Sequence, residues 1–268
     1  MFHVSPLLLV IISQIFVNGH HYGGIFGQSG NWIEESTCFD PSMLQAYVVS
    51  VNIGPKHVCG GSILKPNIIL TAGSCLPSKN HKVYTVIYNP FGEEKSVRVK
   101  KITTHPKFKY YDSLGYTNYD AAILVLEEPL ELFHSQLVIQ LTEEDLVPGE
   151  KAIAINWMDR TLPLEIVDIS VIDNDQCNQR NKQSGPNVAG YPFESQMCGI
   201  TEKFCHLKDV GMPIIKQMES NNYFNPIVIG FGIYSRHYKG CDKGTPGLIT
   251  RMSHIYEFVM SVIDLNPM

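Results

Sequence analysis

The fold is decided by two neighbouring stretches of sequence, CGGSIL at residues 59–64 and ILTAGSC at residues 69–75. Both contain a short apolar run next to a cysteine and to small or turn-forming residues. Comparable runs, rich in Val, Ile and Tyr and broken by Gly, Pro, Asn and Asp, recur along the chain and are typical of short antiparallel strands. The predicted strands cover residues 47–51, 62–64, 68–71, 83–88, 97–102, 122–126, 152–155, 166–171, 227–234 and 248–250.

One helix is predicted at the end of the chain, with Ser253 as its N-cap. Its apolar residues recur at the spacing of a helical face. This order of elements favours an all-β fold in which packed barrels are closed by a C-terminal helix. Periodicity alone leaves the all-β topology open. The residues of the predicted apolar face are Ile255, Phe258, Val259, Val262 and Ile263.

The composition bounds the class of protein. The 268 residues are 44% hydrophobic and 18% charged, which is sufficient to form a core and argues against disorder. The net charge of −5 gives no electrostatic case for a nucleic-acid partner. No CxxC pair occurs in the sequence, so we expect neither a metal site nor a cofactor.

The amino terminus has the character of a secretory signal peptide. An apolar run over residues 5–17 is followed by Val17 and Gly19, which are small enough for the −3 and −1 positions of a cleavage site before His20. Residues 1–19 are therefore predicted to be removed, leaving no membrane span, and the protein is expected to be secreted. The alternative is an uncleaved anchor. Seven cysteines in a secreted chain predict disulfides and one odd thiol.

Further motifs follow the two stretches in a fixed order: HPKF at 105–108, NYDAAILVL at 118–126, VIDNDQCN at 171–178, CHLKDVGMP at 205–213 and TPGLITRM at 245–252. Together they resemble the chymotrypsin/trypsin-like serine protease family, with its CGGSL, VLTAAHC, HPxF, NDIALLKL, CQGDSGGP and PGVYTRV strings. The resemblance implies two packed six-stranded antiparallel β-barrels with a C-terminal α-helix, formed by residues 46–268.

The resemblance also locates the family's three catalytic positions, and two of them are changed. The histidine position is occupied by Ser74, the aspartate position keeps Asp120, and the serine position is occupied by Val210. A serine hydroxyl cannot act as a general base near neutral pH, and valine has no nucleophilic atom. The chain is therefore expected to be an inactive homologue, in which Asp120 accepts hydrogen bonds from Ser74 or from nearby backbone amides. We expect His105 to lie far from this aspartate.

Two further positions that the family uses for activity carry residues that would oppose it. The residue whose amide forms the oxyanion hole corresponds to Lys208, and the base of the specificity pocket corresponds to Lys203. The segment 20–45 resembles a propeptide, but no Lys or Arg precedes Lys56, so it lacks a basic activation site.

The resemblance implies three disulfides, Cys59–Cys75, Cys177–Cys198 and Cys205–Cys241. A fourth family pair is lost on both sides, since Ala152 and Lys216 occupy its positions. Cys38 is left over, either as a free thiol or as a link to a partner chain.

The sequence thus predicts a secreted, non-catalytic serine protease homologue that acts by binding a protein partner, with no cofactor. Two alternatives stay open. The chain could be a serine-type endopeptidase with altered or residual activity, or a structural secretory protein linked into dimers through Cys38.

Overall fold

The computed structural model describes residues 15–17, 20–22, 46–76, 80–88, 94–111, 116–132, 139–156, 165–183, 192–201, 210–216, 227–233 and 246–267. The chain forms two compact units, Met1–Phe39 and Asp40–Met268. In the first unit, strands β1 (Ile15–Val17) and β2 (His20–Tyr22) pair antiparallel. All further elements belong to the second unit.

The first half of the second unit is a closed six-stranded barrel. Its strands follow the ring order β10-β5-β4-β3-β6-β7, with antiparallel neighbours. Between β7 and β10, two short strands form a separate hairpin. The bounds are β3 Val48–Ile53, β4 Lys56–Lys65, β5 Ile68–Thr71, β6 Tyr84–Tyr88, β7 Lys95–Thr104 and β10 Ala122–Leu126, with β8 Lys109–Tyr111 and β9 Tyr116–Asn118 in the hairpin.

The second half is a seven-stranded sheet in the order β11-β16-β15-β12-β13-β14-β17. The pairing of β16 with β17 joins the two ends of the six-stranded run, and β11 adds a short parallel strand beside β16. This parallel seventh strand departs from the purely antiparallel six-stranded barrel that was expected. The bounds are β11 Gln140–Leu141, β12 Lys151–Asn156, β13 Glu165–Ile172, β14 Gln196–Ile200, β15 Pro213–Lys216, β16 Ile227–Ile233 and β17 Gly247–Arg251.

The alternation of side chains explains why these runs form barrels. Along β12 and β13, Ala152 lies opposite Ile169 and Ala154 opposite Val167, and all four side chains are buried in one cluster. Small residues facing branched ones fill a barrel interior without voids. Burying each Val or Ile stabilises the fold by about 1.5–3 kcal/mol relative to leaving it exposed.

All ten predicted strands overlap strands of the structure, and the predicted all-β fold with a C-terminal helix is confirmed. The unpredicted strands are β1, β2, β8, β9, β11, β14 and β15. They escape a search for apolar alternation because they are short or begin with residues such as Gln196 and Pro213. β11, β14 and β15 each pair with a longer strand, whereas β1 pairs with β2 and β8 pairs with β9. Pairing, not their own composition, makes these segments strands.

The described residues of the second half also form two α-helices, α1 (Asn174–Gln183) and α2 (Tyr256–Asp264). α2 is the predicted C-terminal helix, but the predicted N-cap is wrong, because Ile255 occupies that position and the Ser253 hydroxyl donates to Asp145 at 2.8 Å. α1 was not predicted because its polar residues show no apolar face. Asp173 accepts the amide hydrogen of Gln176 at 2.7 Å and so caps its first turn.

Two disulfides, Cys59–Cys75 and Cys177–Cys198, are present. Both are pairs that the family resemblance implied. Cys38 and the pair Cys205–Cys241 lie outside the described residues. At the position of the lost family disulfide, Ala152 pairs directly with Lys216 in the β12–β15 ladder, and the Lys216 ammonium lies 3.3 Å from the Glu150 carboxylate.

Candidate functional site

Ser74 and Asp120 are brought together by the pairing of β5 with β10. Thr71 at the end of β5 lies opposite Ala122 at the start of β10. Ser74 follows β5 in the 3₁₀ turn Gly73–Cys75, and Asp120 lies just before β10. Because the strands are antiparallel, both residues emerge at the same edge of the first barrel.

Asp120 is fully buried and accepts hydrogen bonds on both carboxylate oxygens. Its Oδ1 accepts the Ser74 amide at 2.7 Å, and its Oδ2 accepts the Ser74 hydroxyl at 2.7 Å and the Thr117 hydroxyl at 2.9 Å. Burial raises the pKa of Asp120, and the hydrogen bonds from Ser74, Thr117 and the Gly73 backbone lower it, with burial the stronger effect. The carboxylate is thus held inside the barrel by hydroxyl and amide donors.

Among the described residues, no imidazole donates a hydrogen bond to the Asp120 carboxylate. In the family's reaction, the aspartate orients a histidine that takes the proton of the nucleophile. Here the group that faces the aspartate is the Ser74 hydroxyl, which donates its hydrogen to Asp120. A hydroxyl in this role closes the hydrogen-bond network and offers no basic nitrogen to a substrate.

Val210 lies beside the same edge, although it comes from the second half of the chain. Its carbonyl oxygen accepts the Gly60 amide hydrogen at 2.9 Å, and the Cys75 sulfur lies 3.7 Å from the same oxygen. Since Cys75 directly follows Ser74, the structure brings together the three residues that the sequence analysis assigned to the family's catalytic positions, Ser74, Asp120 and Val210. The side chain presented at the third position is half-buried and apolar.

Gly211 fixes the backbone that carries Val210. Its φ of +82° lies in the left-handed region, and a Cβ at this position would lie 2.6 Å from the Gly60 carbonyl oxygen. Glycine is the residue that fits such a close approach. The other predicted site residues, Lys203 and Lys208, lie outside the described residues.

An aromatic cluster beside Asp120 was not anticipated. The His105 imidazole stacks on Tyr119 with a ring separation of 4.8 Å and meets Phe258 of α2 edge-on at 4.8 Å. The His105 amide donates to the Ala121 carbonyl at 2.9 Å, so the backbone of His105 runs beside Asp120. The expectation that His105 lies far from this aspartate was therefore wrong. Its imidazole packs against the aromatic residues, while the carboxylate accepts hydrogens from Ser74 and Thr117.

Tyr119 has a φ of +50°, uncommon for a residue other than glycine. The His105 ring and the Lys107 ammonium, 5.2 Å from the Tyr119 ring centre, both contact this side chain. Cation–π and stacking contacts of this kind offset the strained backbone. The one sequence signal for this cluster is the high density of aromatic residues at 108–119.

His105 is neutral in this cluster. Burial, assisted by the nearby Lys107 charge, lowers the pKa of His105 to about 4. Its Nδ1 accepts the Lys107 amide hydrogen at 3.1 Å, which requires an unprotonated nitrogen. The imidazole is therefore a packing group at neutral pH.

We expect the free energy of unfolding to fall as the pH drops from 6.5 to 4. Between these values the unfolded chain binds a proton at His105 and the folded chain does not, so protonation favours unfolding. Allowing for partial solvent contact, the loss should be about 2 kcal/mol. Urea unfolding of wild type and His105→Gln at pH 7 and pH 4.5 measures it. The half-exposed His81 provides the control His81→Gln, and an equal pH dependence in all three proteins would contradict the assignment.

Neither a metal cluster nor a membrane-spanning helix is found in the part of the chain that the structure describes. No three His, Cys, Asp or Glu side chains there could hold an ion together. The described helices are too short to cross a bilayer.

Comparison with known proteins identifies the family. The sequence model described as Trypsin matches residues 37–259. Glucanase inhibitor protein 3 of Phytophthora infestans is 25% identical over 238 residues, covering 83% of this chain and 85% of that protein.

Among solved structures, kallikrein-related peptidase 10 in complex with Zn²⁺ has a TM-score of 0.65 at 18% identity, covering 84% of this chain and 98% of that one. The scabies mite inactivated protease paralogue S-D1 has a TM-score of 0.63 at 20% identity, covering 82% of this chain and 93% of that one. At these identities the structures establish the fold. The family match over most of the chain, together with the fold, shows that this protein belongs to the trypsin family.

Proposed function

We propose that this chain is a secreted, non-catalytic member of the trypsin family that acts by binding a protein partner. The observation that carries the proposal is the hydrogen bond from the Ser74 hydroxyl to Asp120. It fills the place of the family's catalytic histidine with a group that cannot accept the nucleophile's proton at neutral pH.

At the third catalytic position, the nucleophile itself is missing. Val210 presents an aliphatic side chain where acyl transfer requires a hydroxyl or thiol. Losing the nucleophile and the base of a triad enzyme lowers turnover by roughly 10⁶-fold. We also assign Lys208 to the oxyanion-hole position and Lys203 to the base of the specificity pocket, and both residues would oppose catalysis further. Together these changes describe an abandoned active site with an intact scaffold.

A binding role is supported by the retained fold and by one relative. The barrel edge with Ser74, Asp120 and Val210 is ordered by hydrogen bonds and by the Cys59–Cys75 disulfide, although it has no catalytic use in this proposal. A relative that covers most of the chain is named a glucanase inhibitor protein, a name that describes action on another protein. We infer that the loops around the former cleft hold a protein partner.

Secretion completes the proposal. Residues 1–19 act as a signal peptide, residues 20–45 form an N-terminal segment without a basic activation site, and residues 46–268 form the protease-like domain. Two disulfides in the described residues are consistent with an oxidising compartment. Sequencing the amino terminus of the native secreted protein tests the cleavage before His20.

We expect no reaction of the purified protein with a fluorophosphonate probe or with peptide and ester substrates. The reason is that no activated nucleophile remains at the three catalytic positions. The measurement compares wild type with trypsin of equal concentration, before and after treatment of the chain with trypsin. Labelling that maps to any residue of this chain would refute the proposal.

Ser74→Ala serves as the matched control, because Ser74 carries the one hydroxyl among the three catalytic positions. If wild type were labelled and Ser74→Ala were not, Ser74 would be a new nucleophile and the alternative of an altered enzyme would hold. Equal absence of labelling in both proteins supports a non-catalytic role.

Partner binding and covalent dimer formation are distinguished by electrophoresis. Affinity capture from the native secretion should recover a partner that wild type and Cys38→Ser bind equally. Under non-reducing conditions the wild-type chain should migrate as a monomer. A disulfide-linked dimer that Cys38→Ser abolishes would instead favour the structural alternative.

A further inference from the structure

A row of cations lines one outer face of the first barrel. Arg98, Lys100 and Lys101 of β7 are all exposed, and Lys82 is exposed in the 3₁₀ turn His81–Val83, just before β6. None of these residues belongs to the three catalytic positions. The cluster therefore calls for an explanation separate from the former active site.

A β-bulge explains why consecutive lysines share this face. In the ladder between β7 and β10, Val99 pairs with Leu126 and Lys101 pairs with Val125, so Lys100 is an extra residue. Such a bulge interrupts the alternation of side chains. Val99 is fully buried, whereas both following lysines are exposed. Arg98 precedes Lys100 by two residues and lies on the same face as Lys100.

Lys82 extends the row across β6. The β6–β7 ladder runs from Tyr88 opposite Lys95 to Thr85 opposite Arg98. Continuing this register brings the turn before β6 alongside Lys100, and that turn packs against β7. The four cations therefore belong to one continuous surface, here named the β7 cationic face (Lys82, Arg98, Lys100 and Lys101).

Ion pairing separates the cations of this face from the neighbouring Lys95. In the described part of the chain, none of its four members forms an ion pair, in contrast to Lys95, which pairs with Glu131. The Glu127 backbone amide donates to the Arg98 carbonyl at 2.9 Å. Residues 80–104 hold five Lys or Arg and two Glu, a surplus of three positive charges in a chain of net charge −5.

The chemistry of the face selects the kind of partner. The exposed residues of β7 and the turn are all polar, namely Lys82, Ser96, Arg98, Lys100, Lys101 and Thr104. Protein interfaces usually have an apolar, often aromatic core, and single-stranded nucleic acids stack on aromatic rings. A polyanion recognised through charge alone needs neither. We propose that the β7 cationic face binds a sulfated polysaccharide.

The experiment measures binding of a heparin fragment to the intact chain as a function of salt. If the four cations contact sulfates as basic residues contact phosphates, affinity should fall about 10²-fold between 50 and 200 mM salt. The variant Arg98→Gln/Lys100→Gln/Lys101→Gln should bind at least tenfold more weakly at 50 mM and show a shallower salt dependence. All three substitutions are at exposed positions, and circular dichroism and thermal unfolding verify that the variant is folded.

The matched control is Lys56→Gln/Lys109→Gln/Lys151→Gln, which removes the same charge from exposed positions elsewhere. It should bind the heparin fragment like wild type. If both triple variants bound the heparin fragment equally weakly, net charge alone would explain the binding and the proposed site would be wrong. Equal wild-type affinity for polyglutamate or a DNA duplex would overturn the assignment to a sulfated polysaccharide. These results do not depend on the fluorophosphonate assay, so either proposal can fail alone.

Discussion

Replacing Asp120 by alanine is expected to lower the free energy of unfolding by about 2–4 kcal/mol, although the protein is proposed to have no catalytic use for this residue. The Ser74 amide and the hydroxyls of Ser74 and Thr117 all donate to its carboxylate. Alanine leaves these donors without an acceptor in a fully buried place, and each unsatisfied buried group costs about 1–3 kcal/mol. Because the Ser74 and Thr117 hydroxyls can turn toward each other, the total loss is smaller than the sum of the costs of the separate donors.

Urea unfolding of three proteins measures this effect. Asp168→Ala removes an exposed carboxylate on β13 and should change the free energy of unfolding by less than about 0.5 kcal/mol. Asp120→Asn keeps an acceptor for the Ser74 amide and should lose less stability than Asp120→Ala. A loss below 0.5 kcal/mol for Asp120→Ala would mean that water satisfies the network and that the residue has no structural role.

The sign of the pH dependence provides a second check on Asp120. Burial raises the pKa of Asp120, so the folded chain holds its proton more tightly than the unfolded chain. This residue's contribution to stability is greatest below the ordinary Asp pKa and declines as the pH rises above it. Asp120→Asn cannot ionise and should lack this decline. The difference between the two proteins separates it from the opposite trend of His105.

The apolar runs predicted the strands, and the resemblance to the protease family, not periodicity, implied the two barrels. Ala122–Leu126 is apolar throughout, Ile68–Thr71 is apolar up to its last residue, and both coincide with predicted strands. Gln196–Ile200 and Pro213–Lys216 could not be recognised, because their strand state depends on partners distant in sequence. Ser253 shows the same limit at a single residue, since Asp145, 108 residues away, binds the hydroxyl that was expected to cap α2.

The candidate site was predictable as a set of positions but not as a network. The motifs gave Ser74, Asp120 and Val210, and the chemistry of a lone buried carboxylate predicted hydrogen bonds from Ser74 or from nearby backbone amides. Thr117 escaped prediction because its contact with Asp120 depends on the turn that follows β9, in which Tyr119 takes an unusual backbone conformation. A positive φ at tyrosine has no sequence signature, since other residues must offset its strain.

The hydrogen-bond network around Asp120 indicates what the scaffold requires even if the chain has no catalytic activity, as proposed. In an active enzyme the aspartate orients a base, whereas here the same carboxylate joins the 3₁₀ turn after β5 to the turn before β10. Its retention needs no catalytic explanation, because removing it would leave buried donors behind. The retained aspartate therefore carries no argument for residual enzymatic activity.

The largest loss of stability is expected for Gly211→Ala, at about 3–5 kcal/mol. The added Cβ would lie 2.6 Å from the Gly60 carbonyl oxygen and 2.7 Å from the Thr71 hydroxyl. These two groups are themselves hydrogen-bonded at 2.7 Å. Backbone atoms cannot move aside as a flexible side chain can, so the turn that carries Val210 must shift and break its 2.9 Å hydrogen bond with the Gly60 amide.

Gly149→Ala separates steric overlap from backbone strain. Gly149 has a φ of +96°, close to the +82° of Gly211, but a Cβ there meets no atom within 4 Å. The free energy of unfolding of Gly149→Ala should therefore fall only by the cost of holding an alanine in the left-handed region, roughly 1–2 kcal/mol. Thermal and urea unfolding of both variants provide the comparison. Equal losses would show that the turn at Val210 tolerates displacement, and the close packing of the third catalytic position against the first barrel would then contribute nothing to stability.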